Sequence, residues 1–383
     1  MSLALFLAGV TLTIWIYLLF GRGFFWRTNV APVPAPPPAW PRIAAIVPAR
    51  DEADSIARAI GSLLAQDYPG ELSVVLVDDH SSDGTARIAQ DAANRLGKGD
   101  RLRIVAARDL PAGWTGKLWA LAEGVRAADE AAASPELYLF TDADIAHHPK
   151  NLAELVARLE AEQLDLASVM VRLNCQSRAE RLLIPAFVFF FAMLYPFAWA
   201  NDKRKRTAAA AGGCMLLRSS AYARIGGYAA IRGELIDDCA LASAVKRQGR
   251  TWLGLNRDTL SLRTYPHLKE IWDMVARTAY TQLDYSLWHL AGTVFGLGMV
   301  FLAPPLLLVF AASPACWLSG IAWAIMALCY VPMLRFYGQS PLWAPLLSLV
   351  ALVYLAATIY SAWRHIRGTG GLWKGRVSWH SQR

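Results

Sequence analysis

Residues 3–20 form one unbroken apolar run, and from residue 42 onward the pattern changes to short apolar runs alternating with longer amphipathic ones. The short runs, at 43–47, 72–77, 102–106, 137–141 and 166–171, are apolar at nearly every position and predict strands buried on both faces. Between them, 54–65, 85–96, 118–132 and 151–161 carry apolar residues at helical spacing. Strand and helix in repetition predict an α/β domain whose mostly parallel sheet is covered on both faces. Ligands of such sheets gather at the carboxyl ends of the strands. The polar residues fall at those ends: Arg50, Asp51 and Glu52 after the first run, Asp78 and Asp79 after the second, Asp142 and Asp144 after the fourth.

The remaining runs are longer. Residues 287–311, 316–334 and 342–360 each approach the ~20 residues that cross a bilayer. With 3–20, which no basic residue precedes and no small-residue cleavage pattern follows, they predict a multi-pass membrane protein with an uncleaved amino-terminal anchor. Residues 182–200 are as apolar but lie within the α/β region, so an interfacial or re-entrant helix is expected there. The stretch 31–41, rich in Pro, predicts an extended, stiff spacer. Three crossings after the α/β region would leave the basic tail outside, whereas a break at Pro304 and Pro305 of 287–311 into a re-entrant pair would return it to the cytoplasm, and the sequence leaves both open. The resulting division is an anchor at 1–21, a linker at 22–41, a catalytic domain at 42–284, membrane helices at 285–361 and a basic tail at 362–383. The catalytic domain divides into 42–172 and 173–284, the second half carrying the 182–200 segment.

Composition agrees with a membrane location: 55% of the 383 residues are hydrophobic and 15 are Trp. The net charge of +8 concentrates near the apolar runs, at Lys203–Arg206 and in the tail, which suits anionic lipid and a cytoplasmic face better than nucleic acid. Lys203–Arg206 reads equally as a solvated loop. Five cysteines without a Cys-x-x-Cys indicate neither a disulfide framework nor a zinc site. No Gly-x-Gly-x-x-Gly or Walker loop follows the first strand, which disfavours a nicotinamide or P-loop site.

Asp142-Ala143-Asp144 is the strongest chemical signal, since an apolar strand has no structural need for two carboxylates. Hard oxygen ligands of this kind suit Mg²⁺ or Mn²⁺ that fills its shell with phosphate oxygens. Together with Ile46-Val47-Pro48-Ala49-Arg50-Asp51-Glu52 and Val77-Asp78-Asp79-His80-Ser81-Ser82-Asp83-Gly84-Thr85, it resembles the nucleotide-sugar half of family 2 glycosyltransferases. Gly212-Gly213-Cys214-Met215 and Glu234-Leu235-Ile236-Asp237-Asp238 resemble the acceptor and catalytic-base segments of that family. Trp114-Thr115-Gly116-Lys117 and Trp373-Lys374-Gly375-Arg376 look most like its hopanoid-associated branch, related to ceramide glucosyltransferases.

The resemblance implies a GT-A-type fold, a UDP-sugar donor, a lipid acceptor and inversion at the anomeric carbon. It places Pro48, Arg50, Glu52, Asp78, Asp79, Lys117 and Asp142 around the nucleotide sugar, and Asp144 with Asp142 on the metal. Asp238 is the expected base, Asp237 stands where the family has Glu, and Gly212, Gly213, Asp237 and Arg277 are assigned to the acceptor or diphosphate. Lys117 reads equally as a helix-start lysine reaching solvent. Arg277 is the surviving residue of a Gln-x-x-Arg-Trp motif found in processive relatives, or a helix-face arginine. His147 and His148 are expected to be exposed at a helix start rather than on a metal. Besides lipid glycosylation in a bacterial-type inner membrane, the sequence leaves open a polysaccharide or other glycolipid synthase and a non-catalytic membrane scaffold.

Overall fold

The computed structural model describes residues 2–131 and 133–368, together with the backbone of 372–373 and 376–377. The chain forms two compact units. One gathers Val30–Asn174, Trp199–Thr264 and Leu372–Arg383; the other gathers Met1–Asn29, Cys175–Ala198 and Tyr265–Gly371.

The first unit is built on a sheet of eight strands: β1 (Ile43–Ala49), β2 (Leu72–Asp78), β3 (Leu102–Ala106), β4 (Leu137–Phe140), β5 (Ile145–Ala146), β6 (Leu166–Arg172), β7 (Met215–Arg218) and β8 (Thr251–Ser261). Their order is β3-β2-β1-β4-β7-β6-β8-β5. Strands β3, β2, β1 and β4 run parallel, β7 runs antiparallel to both its neighbours, and β6 pairs parallel with β8. The mixed, mostly parallel sheet is the expected one. Alternate residues of each strand feed two separate cores, as the period of two demands. Ile43, Ala45, Val47, Val74 and Leu76 pack under the Ala53–Leu64 helix on one face; Ala44, Ile46, Val75, Val77 and Phe140 pack under the Gly116–Asp129 helix on the other. Burial on both faces is why these runs read as continuously apolar.

The linker is not a free spacer. It is extended, but Trp40 packs edge-on against Tyr68, whose hydroxyl donates to the Pro41 carbonyl at 2.5 Å, and Arg158 donates to the Pro32 carbonyl. Proline-rich backbone has unpaired carbonyls to offer, and the domain surface uses them.

In the second unit four helices are long and apolar enough to cross a membrane: Leu3–Phe20, Leu287–Phe310, Ala315–Phe336 and Pro341–Ile366. The break at Pro304-Pro305 is absent. A π-helical turn at Gly298–Leu302 precedes them, and the two prolines occupy the first positions of the Ala303–Phe310 helix, where a missing N–H leaves no bond unmade. Trp15 donates its indole N–H to the Val300 carbonyl within that turn at 2.7 Å and stacks edge-on against Phe301. The aromatic 182–200 stretch folds as helices Arg178–Leu194 and Phe197–Ala200. The longer one starts at a Ser177/Glu180 capping box, and its Phe189 and Phe190 are packed against Phe25, Tyr330, Phe301 and Tyr354. The last helix continues to Ile366, so Arg364 and His365 belong to its final turn; Lys374, Gly375 and the end of the expected tail lie outside the described residues.

Gly124 shows how tightly the site-bearing helix sits on the sheet: a Cβ there would lie 2.4 Å from Ile46 Cγ2 and 3.0 Å from Val77 Cγ2. Gly124→Ala should therefore lower the melting temperature in detergent, an overpacking cost of about 1–3 kcal/mol outweighing the roughly 1 kcal/mol gained in helix propensity. An unchanged or higher Tm would show that the helix can lift off the sheet without cost.

Candidate active site

The carboxyl ends of β1, β2 and β4 are stitched to one another before any side chain reaches a ligand. Asp79 N–H donates to the Ala49 carbonyl at 2.8 Å, and Arg50, one residue past β1, donates to the Asp79 carbonyl at 2.6 Å. Asp51 accepts from the Ser82 N–H at 2.8 Å and donates its own N–H to the Ser81 hydroxyl oxygen at 3.0 Å. Asp51 and His80 both take left-handed backbone angles, φ 50° and 57°, a conformation that costs non-glycine residues energy and is tolerated where surrounding bonds fix it. Asp83 accepts from the Thr85 N–H at the start of the Thr85–Arg95 helix and also holds the Ala53 N–H at 2.9 Å, while the Ser82 hydroxyl is bound to Asp51.

The two acidic residues after β2 separate in role. Asp79 is 1% exposed and faces Arg50 at 3.5 Å and His80 at 3.3 Å, so it ties strand ends together. Asp78 keeps one buried oxygen without a hydrogen-bond partner, an unmet acceptor at the strand end. Pro48 lies within β1, buried opposite Val77.

Two cations organise the rest. Lys117 sits in the first turn of the Gly116–Asp129 helix, which Thr115 caps, at the positive end of its dipole where a lysine is disfavoured. It is held there by Asp142 Oδ1 at 2.9 Å and Asp237 Oδ2 at 3.1 Å. Burial opposes its charge, but those carboxylates win and keep the ammonium protonated. Arg263, two residues past β8, places Nε 2.7 Å from Asp144 Oδ2 and Nη2 3.1 Å from Glu52 Oε1. Nothing in the sequence singled out Arg263. It is 119 residues from Asp144 and arrives through the pairing of β5 with β8.

Asp237 and Asp238 open the Asp237–Lys246 helix, where acidic groups favour the dipole. Asp238 accepts from its neighbour's N–H, Cys239, at 2.7 Å and from Gly212 N–H at 2.9 Å. Burial and the adjacent Asp237 push Asp238 up to about 6, against the lowering by Lys117 and the two N–H groups. Gly212 has Lys117 Nζ and Asp238 within 3.3–3.5 Å of where a Cβ would be, and Gly213 is packed between Val171 and Ile145, so both backbones lie close to their neighbours. Glu52, Asp142, Asp144, Asp237, Asp238, Lys117 and Gly212 are thus drawn together by direct contacts within one unit. Arg277 belongs to the other unit, exposed near the end of the Leu268–Thr278 helix.

His147 differs from expectation: it is buried, not exposed. Asn256 donates to Asn151 at 3.2 Å, Asn151 lies 3.1 Å from His147 Nδ1, His147 Nε2 lies 2.8 Å from the Thr141 hydroxyl, and that hydroxyl donates to the Gly213 carbonyl at 2.8 Å. With its one proton committed to Gly213, Thr141 must accept from Nε2–H, leaving Nδ1 to accept from Asn151. The neutral ring carrying its proton on Nε2 therefore ties the residue before Asp142 to the loop before β7, whose Gly212 N–H donates to Asp238. Burial lowers His147 to about 4, which keeps it neutral.

Among the described residues no three His, Cys, Asp or Glu side chains converge as a ready metal cage. The donor set nevertheless fits Mg²⁺ or Mn²⁺, which commonly take one or two carboxylates and complete their shell with phosphate and water oxygens. Asp142 and Asp144 supply hard oxygens from one strand end, and their present partners are the two cations.

A profile of the glycosyltransferase-like family 2 matches residues 41–258, more than half of the chain. The chain belongs to that family. The solved mannosyltransferase PcManGT from Pyrobaculum calidifontis, in complex with GDP-Man and Mn²⁺, is 21% identical, with a TM-score of 0.54 over 96% of this chain and 100% of that one. Glucosyl-3-phosphoglycerate synthase from Mycobacterium tuberculosis, in complex with Mn²⁺, UDP-glucose and glycerol 3-phosphate, is 20% identical, with a TM-score of 0.39 over 64% of this chain and 79% of that one. No curated protein sequence matches the chain. The sheet unit of this family 2 glycosyltransferase is a GT-A fold.

The hydrogen-bonded His147 chain can be tested on its own. His147→Leu removes the two buried hydrogen bonds of the ring, to Thr141 and Asn151, and should cost about 1–3 kcal/mol near pH 7. Below the ordinary histidine pKa near 6.5 the unfolded chain binds a proton that the folded one refuses, so wild-type stability falls as pH drops from 6.5 toward 4. The Tm gap between wild type and variant should narrow over that window; a gap independent of pH would mean that the ring is not held neutral.

Proposed function

We propose that this glycosyltransferase moves a sugar, with inversion, from a UDP-sugar to the hydroxyl of a lipid at the cytoplasmic face of a bacterial-type inner membrane. The observation that carries this reading is the joining of Asp142 and the Asp237–Asp238 pair through one half-buried lysine, with Asp238 raised to about 6. A carboxylate near that value is a base at neutral pH yet basic enough to share a proton with an alcohol as it attacks.

Asp238 takes the acceptor's hydroxyl proton as its oxygen bonds to the anomeric carbon, and the bond to the nucleoside diphosphate breaks with its electron pair leaving on the diphosphate. One base suffices for this single displacement, in contrast to the two carboxylates of retaining glycoside hydrolysis. Asp144 and Asp142 would hold Mg²⁺ or Mn²⁺, which would neutralise the departing diphosphate as a Lewis acid. Lys117 restrains Asp142 and Asp237 and favours the ionised form of Asp238. The unmet Asp78 oxygen suits a nucleoside N–H or hydroxyl at the β2 end, and the family likeness assigns Asp79 and Glu52 to the same nucleotide pocket.

The lipid acceptor is supported by the four apolar helices in the same chain, and the hopanoid-type alcohol by the likeness of the Trp114–Lys117 and Trp373–Arg376 segments. Arg22 and Arg27, directly after the first apolar helix, favour a cytoplasmic position for the chain beyond that helix. Labelled nucleotide sugars offered to the purified enzyme with a membrane lipid extract should yield a glycolipid by mass analysis. Transfer to soluble oligosaccharides alone would remove the lipid reading.

Two variants test the base. Asp238→Asn should retain UDP binding and lose at least ~100-fold in kcat, the usual scale of general-base catalysis. The wild-type rate should rise with pH through about 6 and then level off, because the ionised carboxylate is the active form. Lys117→Gln should move that inflection upward by about one pH unit or more, since the cation that favours ionisation is gone. Wild-type turnover in Asp238→Asn, or an inflection that stays in place in Lys117→Gln, would remove the respective assignment.

A further inference from the structure

We propose that Arg263 is the resident countercation of Asp144 and Glu52, and that a divalent ion binds by displacing it. This rests on the reading of Asp144 and Asp142 as metal ligands. The guanidinium spans two carboxylates from different strand ends, 2.7 Å from Asp144 and 3.1 Å from Glu52. Its position is built into the sheet: Ile145 pairs with Ser261, the Leu262 N–H donates to the Asp144 carbonyl at 2.7 Å, and Arg263 comes next in the chain.

Exposure makes the contact exchangeable. The Arg263 side chain is 38% exposed, whereas those of Asp144 and Glu52 are 13% and 15% exposed. The cation can turn outward on its long stem, but the carboxylates cannot follow, and buried charges without a partner are costly. A carboxylate oxygen engaged by Nε at hydrogen-bond distance is not open to a metal on that lone pair, so ion and arginine compete for one anionic pair. Lys117 is the less exchangeable of the two cations, more buried and held by Asp142 and Asp237 together. The consequence is a site that keeps these carboxylates paired before the donor arrives, and binds metal weakly until phosphate oxygens add their share.

Titration of Mn²⁺ into full-length protein in detergent, by calorimetry and by Mn²⁺ electron paramagnetic resonance, tests this with and without UDP. Without nucleotide, Arg263→Gln should bind Mn²⁺ about tenfold or more tightly than wild type, because a charge repelling the ion at close range is gone. Arg263→Lys, which keeps the charge, should stay within about threefold of wild type. Equal or weaker Mn²⁺ binding by Arg263→Gln, in protein that still binds UDP, overturns the competition while leaving the metal reading intact. Absence of Mn²⁺ binding in wild type and both variants, with UDP present, overturns the metal reading and this inference with it.

Discussion

Carboxylates crowded at one end of a sheet repel each other, and this site depends on two cations that make the crowding tolerable. Lys117 joins Asp142 to Asp237, and Arg263 joins Asp144 to Glu52. Each bridges two different segments, so each does more than cancel charge: it fixes the spacing of strand β4 against the helix carrying Asp238, or against the turn after β1. Buried ionic groups are poor sources of net stability but strong determinants of arrangement when each keeps its partner. The unfavourable place of Lys117 at a helix start is then intelligible, because its local cost is met by long-range partners.

Behind the charged layer lies a neutral one. The Asn256–Asn151–His147–Thr141–Gly213 chain of hydrogen bonds fixes the backbone on which the charged residues ride. Its direction is set by the single proton of Thr141, and its neutrality by burial. Charged and neutral layers divide the work: one sets the potential in which a diphosphate would bind and an alcohol would lose its proton, and the other holds the geometry in which that potential acts.

The strands of the first half are legible in the sequence because burial on both faces of a parallel sheet leaves a run with no polar position, a pattern few other structures produce. The ends of β1, β2 and β4 are legible for the complementary reason, since acidic residues directly after such runs mark where the chain leaves the apolar core. Strands β7 and β8 are not, β7 because it is only four residues long and β8 because its middle is exposed and polar at Asn256–Asp258. His147 departs from its local pattern because a His-His-Pro segment looks like a solvated helix start, and only the packing of Asn151 and Thr141 around one ring makes it interior. The prolines at 304 and 305 suggest a break because a proline's missing N–H is visible in sequence, while the π turn that absorbs it is not.

The sequence by itself determined the alternation of elements and the apolar helices, which follow from local periodicity, and it marked Asp142 and Asp144 as polar groups placed where apolar ones would serve. Tertiary structure alone decided which cation faces which carboxylate. Lys117 and Arg263 are two among 38 basic residues, and their partners come from sequence-distant segments brought side by side by strand order. Electrostatic pairing depends on distance in space, and distance in space between remote segments is set by the sheet's register, which no local pattern records.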